Sequence, residues 1–331
     1  SCEVEEPNLT ATPWIAGEML EVRVNCRDRF GNPVTPPSPE DQAAGMVIVA
    51  DGEGPGMVEA DVGPAPVPPG VAPEDAVATW SVARFRSTVV GEYELRVFAS
   101  EVQRQWWGGM QRDNLPGAPL RVKLSPAAAD PQRSTVNLSG LKERPGGMIV
   151  GMAGREATLT LVARDRFNNP ATFDGQRLRV DAVGPADVLL QASGSTPGEE
   201  KFSGTLVKSG SYTLRASVAG RSVAGFPRNL QVVAAQTDPM QCQIRGDALT
   251  GVVVGDMTRA SLTAHDRFGN ACLEGGDQVL VRLLGPAGSV DADVVDYGDG
   301  TYGLTFTVPR AGEWRAHLAV NGDENPNPLG R

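Results

Sequence analysis

The sequence predicts an all-β protein built of three tandem antiparallel β-sandwiches. Two observations predict this fold class: a short motif that recurs at the spacing of a small domain, and apolar residues at every second position around it. The motif is Asp-Arg-Phe, then Gly or Asn, then Asn, and its copies begin at Asp28, Asp165 and Asp266. The last two copies are 266 − 165 = 101 residues apart. That period is too long for a solenoid repeat and typical of a whole small domain.

A strand is expected immediately before each copy of the motif. Alternating apolar residues there indicate a strand with one buried face and one face in water. These residues are Leu20, Val22, Val24 and Cys26 before the first copy, Leu159, Leu161 and Ala163 before the second, and Leu262 and Ala264 before the third. Gly and Asn tolerate positive φ, so the motif is expected to form the turn that ends the strand. Its Asp is expected to cap the turn, and its Arg to be solvated or paired.

A second common element follows each motif, an aromatic residue two positions after a glycine. The pairs are Gly91 and Tyr93, Gly210 and Tyr212, and Gly312 and Trp314. Each aromatic residue begins another alternating strand. An aromatic side chain at this place is typical of the corner that locks many β-sandwiches.

The two elements divide the chain into module one (1–125), module two (126–235) and module three (236–331). From motif to aromatic turn, module one spans 91 − 28 = 63 residues, against 210 − 165 = 45 in module two. Module one therefore carries an insertion, placed in the proline-rich stretch 63–70, and a second one after its aromatic strand. Proline lacks the amide donor of a ladder, so the stretch is not expected in a central strand. The last strand of module three is expected to be truncated or missing, and the chain is interpreted as part of a longer protein.

These motifs resemble the filamin-type immunoglobulin-like repeat. The resemblance rests on the Asp-x-Phe-x-Asn-Pro turns (Asp28–Pro33 and Asp165–Pro170), the turn Gly298–Tyr302, the strand entry Ala311–Trp314 and a closing Gly-x-Pro strand such as Gly117–Pro119. It covers nearly the whole chain and implies three immunoglobulin-like sandwiches. A fold of this kind does not by itself define a function.

Composition narrows the function classes. A net charge of −10 and a pI near 4.9 argue against nucleic acid or an anionic membrane as partner. The chain has no run of eighteen apolar residues that would span a bilayer. Any membrane attachment is therefore expected through a segment outside this sequence.

No motif for catalysis or cofactor binding is present, so the chain is not expected to be an enzyme, and no cofactor is expected. His265 and His317 are interpreted as ordinary strand residues. The acidic stretch from Asp291 to Asp299 lacks the residue order of a calcium-binding EF-hand loop, and no metal site is predicted.

The four cysteines lie where antiparallel strand pairs would bring them together. Cys2 opens the first strand of module one and Cys26 lies late in the second. In module three Cys242 opens the first strand and Cys272 falls just past the second. This placement predicts disulfides Cys2–Cys26 and Cys242–Cys272. Four reduced, buried thiols are the alternative, as in many cytosolic proteins.

Two glycosylation sequons begin at Asn8 and Asn137, each in the first-strand region of its module. Together with the cysteines they favour an extracellular or cell-surface location over the cytoplasm or a cilium.

Two features are candidates for binding a protein partner. Trp106 and Trp107 stand side by side before two glycines, and tryptophan is favoured at binding hot spots. The alternative is that one ring folds back over its own sandwich. The other feature is a sheet edge, because filamin-type modules accept extended peptides beside one strand. The matching strand would be 177–182, although its alternating charges are equally typical of residues that keep an edge unpaired.

The preferred hypothesis is a non-enzymatic cell-surface adhesion segment that binds a surface receptor on an opposing cell. Among such proteins it resembles the gamete-expressed, filamin-repeat adhesion proteins of plants and green algae, which act in fertilization. An intracellular filamin-like scaffold, actin-associated or ciliary, that binds peptides by β-strand addition is the rival. A filamin module within a ubiquitin-ligase-type protein is a further alternative.

Overall fold

Every regular element in the described part of the computed structural model is a β-strand, β1 to β29 in chain order. The structure describes residues 2–7, 13–34, 46–64, 80–101, 113–246 and 251–327. The all-β class predicted from the sequence is confirmed. By compactness the chain divides into two units, one of residues 1–133 and 163–174, the other of residues 134–162 and 175–331.

The first unit contains the two sheets of module one. Their strands are β1 (Cys2–Val4), β2 (Trp14–Ile15), β3 (Met19–Arg27), β4 (Pro33–Val34), β5 (Met46–Glu53), β6 (Glu59–Pro64), β7 (Ser81–Arg86), β8 (Gly91–Glu101), β9 (Asp113–Asn114) and β10 (Leu120–Ser125). One sheet has the order β1-β3-β7-β6, with β4 beside β3, and the other has the order β2-β10-β8-β5, with β9 beside β8. The pairing of β2 with β10 is parallel.

The alternation predicted for β3 is observed, with Leu20, Val22, Val24 and Cys26 buried and their neighbours more exposed. These side chains form one core with residues of the facing sheet, including Leu95. The proline-rich insertion begins at the end of β6, an edge strand, and the rest of it lies outside the described residues.

The second unit contains the sheets of modules two and three. The strands of module two are β11 (Thr135–Ser139), β12 (Lys142–Glu143), β13 (Ile149–Met152), β14 (Glu156–Val162), β15 (Leu178–Val183), β16 (Val188–Leu189), β17 (Gln191–Thr196), β18 (Glu199–Thr205), β19 (Gly210–Val218), β20 (Arg221–Ser222) and β21 (Arg228–Val233). They form one sheet of order β11-β14-β18-β17 and another of order β12-β13-β21-β19-β15-β16, with β20 beside β19. The largest fully buried side chains here include Leu159, Leu161 and Leu214.

Module three repeats this arrangement with fewer strands in the described residues. They are β22 (Gln243–Arg245), β23 (Thr258–Thr263), β24 (Val279–Gly285), β25 (Gly288–Asp291), β26 (Asp293–Asp296), β27 (Thr301–Phe306), β28 (Arg315–Val320) and β29 (Asp323–Glu324). The sheets have the orders β22-β23-β27-β26 and β25-β24-β28-β29. Tyr302, fully buried, lies at the centre of the core. The aromatic strands β8 and β19 pair with a closing strand, β10 or β21, whereas within the described ranges β28 pairs with β24 and β29.

Candidate functional site

The recurrent motif forms the same turn three times, and its Asp caps the turn as predicted. In the second copy one carboxylate oxygen, Oδ1 of Asp165, accepts the backbone N–H groups of Phe167 and Asn169, both at 2.9 Å. In the third copy Asp266 accepts the corresponding groups of Phe268 and Asn270, also at 2.9 Å. Two bonds to one carboxylate close the turn around a residue in the left-handed region, as predicted for Gly and Asn. The residues in that conformation are Gly31 (φ 85°), Asn168 (φ 70°) and Gly269 (φ 74°).

The arginine of each copy lies over the ring of its own phenylalanine neighbour. The guanidinium carbon is 4.6 Å from the ring centroid for Arg29 and Phe30, and 4.7 Å for Arg166 and Phe167 and for Arg267 and Phe268. This is a cation–π contact, which fixes the plane of the ring relative to the turn. The three arginines are exposed and each is paired with a ring, in agreement with the expectation of a solvated or paired arginine.

The aromatic residues of the second common element form the predicted corner. The hydroxyl of Tyr212 donates to the carbonyl of Lys208 at 2.9 Å, and the indole N–H of Trp314 donates to the carbonyl of Arg310 at 3.0 Å. In module one the hydroxyl of Tyr93 donates to the carbonyl of Val89. The acceptor is four residues upstream each time, so one loop before the aromatic strand is held in one conformation in all three modules.

That loop receives the turn of the next module. In the first unit the side-chain amide of Asn169 donates to the carbonyl of Thr88 at 2.7 Å and accepts from the N–H of Val90 at 3.2 Å. In the second unit Asn270 donates to the carbonyl of Val207 at 2.8 Å and accepts from the N–H of Ser209 at 3.0 Å. Each asparagine therefore binds the two backbone groups that flank the carbonyl of the corner.

The phenylalanine of each of these turns packs on a glycine of the preceding module. A Cβ built on Gly17 would lie 2.3 Å from the ring of Phe167, and one built on Gly154 would lie 2.3 Å from the ring of Phe268. Both glycines are in the left-handed region, with φ of 80° and 75°. Any side chain at these positions would occupy the place of the ring, so glycine is required both for the conformation and for the contact.

The linkers complete these contacts. The N–H of Ala127 donates to the second carboxylate oxygen of Asp165 at 3.1 Å, and that of Ala235 donates to Asp266 at 2.8 Å. Burial opposes ionisation of Asp266, but the side-chain amide of Asn270 and the backbone N–H groups together outweigh it and lower the pKa of that carboxyl. The aspartate is thus a buried, charged acceptor on which two modules converge.

Sequence reasoning assigned the motif to turn formation alone and missed this second role. Its phenylalanine and asparagine were not recognised as binding residues. The available signal was the asparagine that closes every copy, because its amide keeps a second donor hydrogen and its oxygen after it donates to the Asp of the turn.

The two tryptophans singled out from the sequence, Trp106 and Trp107, lie outside the described residues, and so does the sequon at Asn8. The other sequon asparagine, Asn137, is exposed on the edge strand β11, where it faces Thr160 of β14.

The cysteines follow the prediction in one module only. Cys2 and Cys26 are register partners and form a disulfide with an S–S distance of 2.09 Å. The disulfide expected between Cys242 and Cys272 is not formed. Both residues are free, buried thiols. The Cys272 thiol instead contacts the hydroxyl of Thr237 at 3.4 Å, and burial raises the pKa of both thiols.

The sheet edge predicted at 177–182 corresponds to β15, and it is partly covered. The outer side of Asp181 and Ala182 pairs with β16, and the carbonyl of Val180 accepts the N–H of Leu190 at 3.0 Å. Arg179 and Asp181, the charges that alternate along the strand, form an ion pair with each other at 3.1 Å. Among the described residues, the stretch of this edge left without a neighbouring strand is the one around Leu178.

His317 lies in a strand, as expected, whereas His265 lies just beyond the end of one. His265 precedes the third turn and forms a bridge with Ala271, and His317 lies in β28 opposite Arg282. Over the described ranges, the acidic, histidine and cysteine side chains form no cluster suited to holding a metal ion. The same ranges contain no helix long and apolar enough to cross a membrane.

Comparison with known proteins identifies the class of domain that this chain contains. Residues 236–328 match the family model of the filamin/ABP280 repeat. Mouse filamin-C is 25% identical over 228 residues, which is 68% of this chain and 7% of filamin-C. Human tripartite motif-containing protein 2 is 29% identical over 76 residues, 23% of this chain and 10% of that protein. The chain therefore carries filamin-type immunoglobulin-like repeats, and it spans a small part of the length of these relatives.

Among solved structures, the Escherichia coli adhesin FdeC matches over 99% of this chain and 95% of its own, with a TM-score of 0.53 and 18% identity. At this identity the match describes the fold alone, which in the described residues is a series of tandem β-sandwiches.

Proposed function

We propose that the chain is a non-enzymatic adhesion segment exposed at a cell surface, where it binds a protein partner. The observation that carries the proposal is the Cys2–Cys26 disulfide in module one. Disulfides persist in oxidising compartments and are rare in the cytosol. An exposed sequon at Asn137, on an edge strand, supports the same location.

Two further observations support adhesion as the activity. The fold matches that of a bacterial adhesin along nearly the whole chain. Module one also carries insertions between its strands, and insertions at the loops of a sandwich are common sites of binding. We assign partner binding to module one, with Trp106 and Trp107 as the anchor, and the gamete-adhesion type as the biological setting.

The test uses beads coated with the full chain produced in a secretory host and offered to gametes of the organism that carries the gene. We expect the beads to attach, and attachment to be lost on replacing Trp106 and Trp107 with Ala. The matched control is Met57→Ala, which removes another large side chain of module one, 86% exposed. Attachment that survives the double replacement, or that is lost equally in the control, would argue against this assignment.

The second candidate function is an intracellular scaffold that binds extended peptides by β-strand addition. It is favoured by the likeness to mouse filamin-C, 25% identical over 228 residues. The open part of β15 near Leu178 is the place where a peptide strand would add. Protein isolated from its native cells separates the two functions, because a cytosolic scaffold is expected to keep all four cysteines reduced, whereas the adhesion segment keeps Cys2–Cys26 oxidised.

A further inference from the structure

The first and third turns have the same five residues and different surroundings. Residues 28–32 and 266–270 both read Asp-Arg-Phe-Gly-Asn. Phe268 is half-buried against Gly154 of the preceding module, whereas the side chain of Phe30 is 73% exposed. Because the two pentapeptides are identical, the difference in exposure reflects what covers the ring and not the sequence of the turn.

The first turn is already in the conformation of the occupied copies. Asp28 accepts the N–H groups of Phe30 and Asn32 at 2.8 and 2.9 Å, and Arg29 lies over the ring of Phe30. The side-chain amide of Asn32 donates to Asp28 at 3.0 Å, as Asn270 does to Asp266 at 2.8 Å. The turn is thus preorganised, which lowers the conformational entropy lost on binding.

The occupied copies show which surface the turn binds. We call this surface the acceptor end of a module. It consists of a left-handed glycine that leaves room for the ring, and a corner loop that offers one carbonyl and one N–H to the asparagine. Gly154, Val207 and Ser209 form it for the third turn, and Gly17, Thr88 and Val90 form it for the second.

An acceptor end also forms without an occupant. In module three Gly255 is left-handed, with φ of 83°, and its N–H donates to the carbonyl of Val308 at 3.1 Å, as the N–H of Gly154 donates to Leu206 at 2.8 Å. The corner bond of Trp314 to Arg310 is in place, and a Cβ built on Gly255 would meet nothing within 4 Å. Both halves of the contact are therefore stable features of single modules.

We infer that the turn Asp28–Asn32 is a docking surface for the acceptor end of another filamin-type module, joined to the N-terminal side of module one by a short linker. Phe30 packs on the left-handed glycine of that module, and Asn32 binds the carbonyl and N–H of its corner loop. The same five residues make these contacts in the third turn.

The occupant is a tethered module rather than a free partner, because the contact is small. Each occupied turn contributes one ring, the arginine beside it and the amide of one asparagine, and in the third turn Lys208 also donates to the carbonyl of Phe268 at 3.5 Å. A stable free interface has about 20 to 30 residues on each side, far more than this. Tethering by a short linker supplies an effective concentration in the millimolar range, which makes so small a contact form.

The test compares the full chain with an extended chain in which a second copy of residues 134–241 replaces Ser1. This reproduces the natural register in which Gln241 precedes Cys242. The readout is hydroxyl-radical labelling of phenylalanine, measured on tryptic peptides. Trypsin cuts after Arg29 and Arg267, so Phe30 and Phe268 each begin a separate peptide. Phe268 is the internal standard for the docked state.

In the full chain we expect strong labelling of Phe30 and weak labelling of Phe268. In the extended chain, labelling of Phe30 falls to the level of Phe268, and Asn32→Ala restores it, because the asparagine can no longer bind the corner loop. The unextended Asn32→Ala chain is labelled alongside and sets the undocked level of Phe30 for that variant.

Strong labelling of Phe30 in the extended chain would overturn the inference. Protection of Phe30 in the unextended chain that grows with protein concentration and is lost in Gly255→Val would also overturn it, in favour of a second copy docked head to tail.

Discussion

Asn270 and Tyr212 bind neighbouring backbone groups of the same loop. Tyr212 donates to the carbonyl of Lys208 at 2.9 Å, while Asn270 binds the carbonyl of Val207 and the N–H of Ser209 at 2.8 and 3.0 Å. The first belongs to module two and the second to the turn of module three. The corner that stabilises one sandwich therefore also presents the backbone groups to which the next turn binds. Tyr212 thus stabilises its own module and also the contact with the next module.

Phe268→Ala is expected to destabilise the second unit by about 2 kcal/mol, because the half-buried ring leaves a cavity against Gly154. The measurement is urea unfolding followed by tryptophan fluorescence. The matched control is Phe30→Ala, in an identical pentapeptide but 73% exposed, for which we expect a change within about 0.5 kcal/mol. Equal effects of the two replacements would show that the ring stabilises only its own turn.

Tyr212→Phe is expected to cost about 1 to 2 kcal/mol, because the carbonyl of Lys208 loses its donor in a partly buried place. The same variant should increase hydrogen exchange at Ser209, whose N–H binds Asn270. Tyr297→Phe serves as control, since that side chain is 63% exposed. An unchanged exchange rate at Ser209 would show that the hydrogen bond of Tyr212 does not support the contact between the loop and Asn270.

Asp266 is expected to make the stability of the second unit depend on acid pH. Its pKa in the folded chain is lowered below the ordinary value of 3.8. The unfolded chain therefore takes up the proton first as the pH falls, and the contribution of this group, complete above 3.8, is lost as the pH drops through the folded pKa. Urea unfolding from pH 6 to pH 2 should show this loss, and Asp266→Asn should show a shallower pH dependence. Parallel curves for the two proteins would contradict the assignment.

Two of the four cysteines are expected to react with a thiol reagent under denaturing, non-reducing conditions, in protein from a secretory host. Cys2 and Cys26 are bonded, and Cys242 and Cys272 are free. In the folded protein the two free thiols should react slowly, because burial raises the pKa of each.

Replacing Cys2 and Cys26 with Ala is expected to destabilise module one by about 3 kcal/mol in the chain-entropy model, since the bond closes a sequence separation of 24 residues. Addition of a reductant should lower the midpoint of thermal unfolding of the parent protein and leave this variant unchanged. A reductant effect of the same size in both would mean that another process is responsible.

The sequence by itself determined the strands, the turns and the corners. Alternation predicted the buried face of β3, positive φ was predicted at Gly31, Asn168 and Gly269, and the aromatic residue after a turn glycine predicted the corner. Each of these features depends on residues within a few positions of one another in the sequence. Over such short distances, local sterics and hydrogen bonding set the conformation.

Only the tertiary structure decided what these elements contact. The pentapeptides 28–32 and 266–270 are identical, and yet Phe30 is exposed and Phe268 half-buried, because the partners of the third turn lie about sixty residues away in the chain. The sequence predicted a disulfide in each of modules one and three, but the register brings Cys2 opposite Cys26 and leaves Cys272 against Thr237. Such contacts are fixed by how sheets and modules pack, which is a property of the whole chain and not of any short segment.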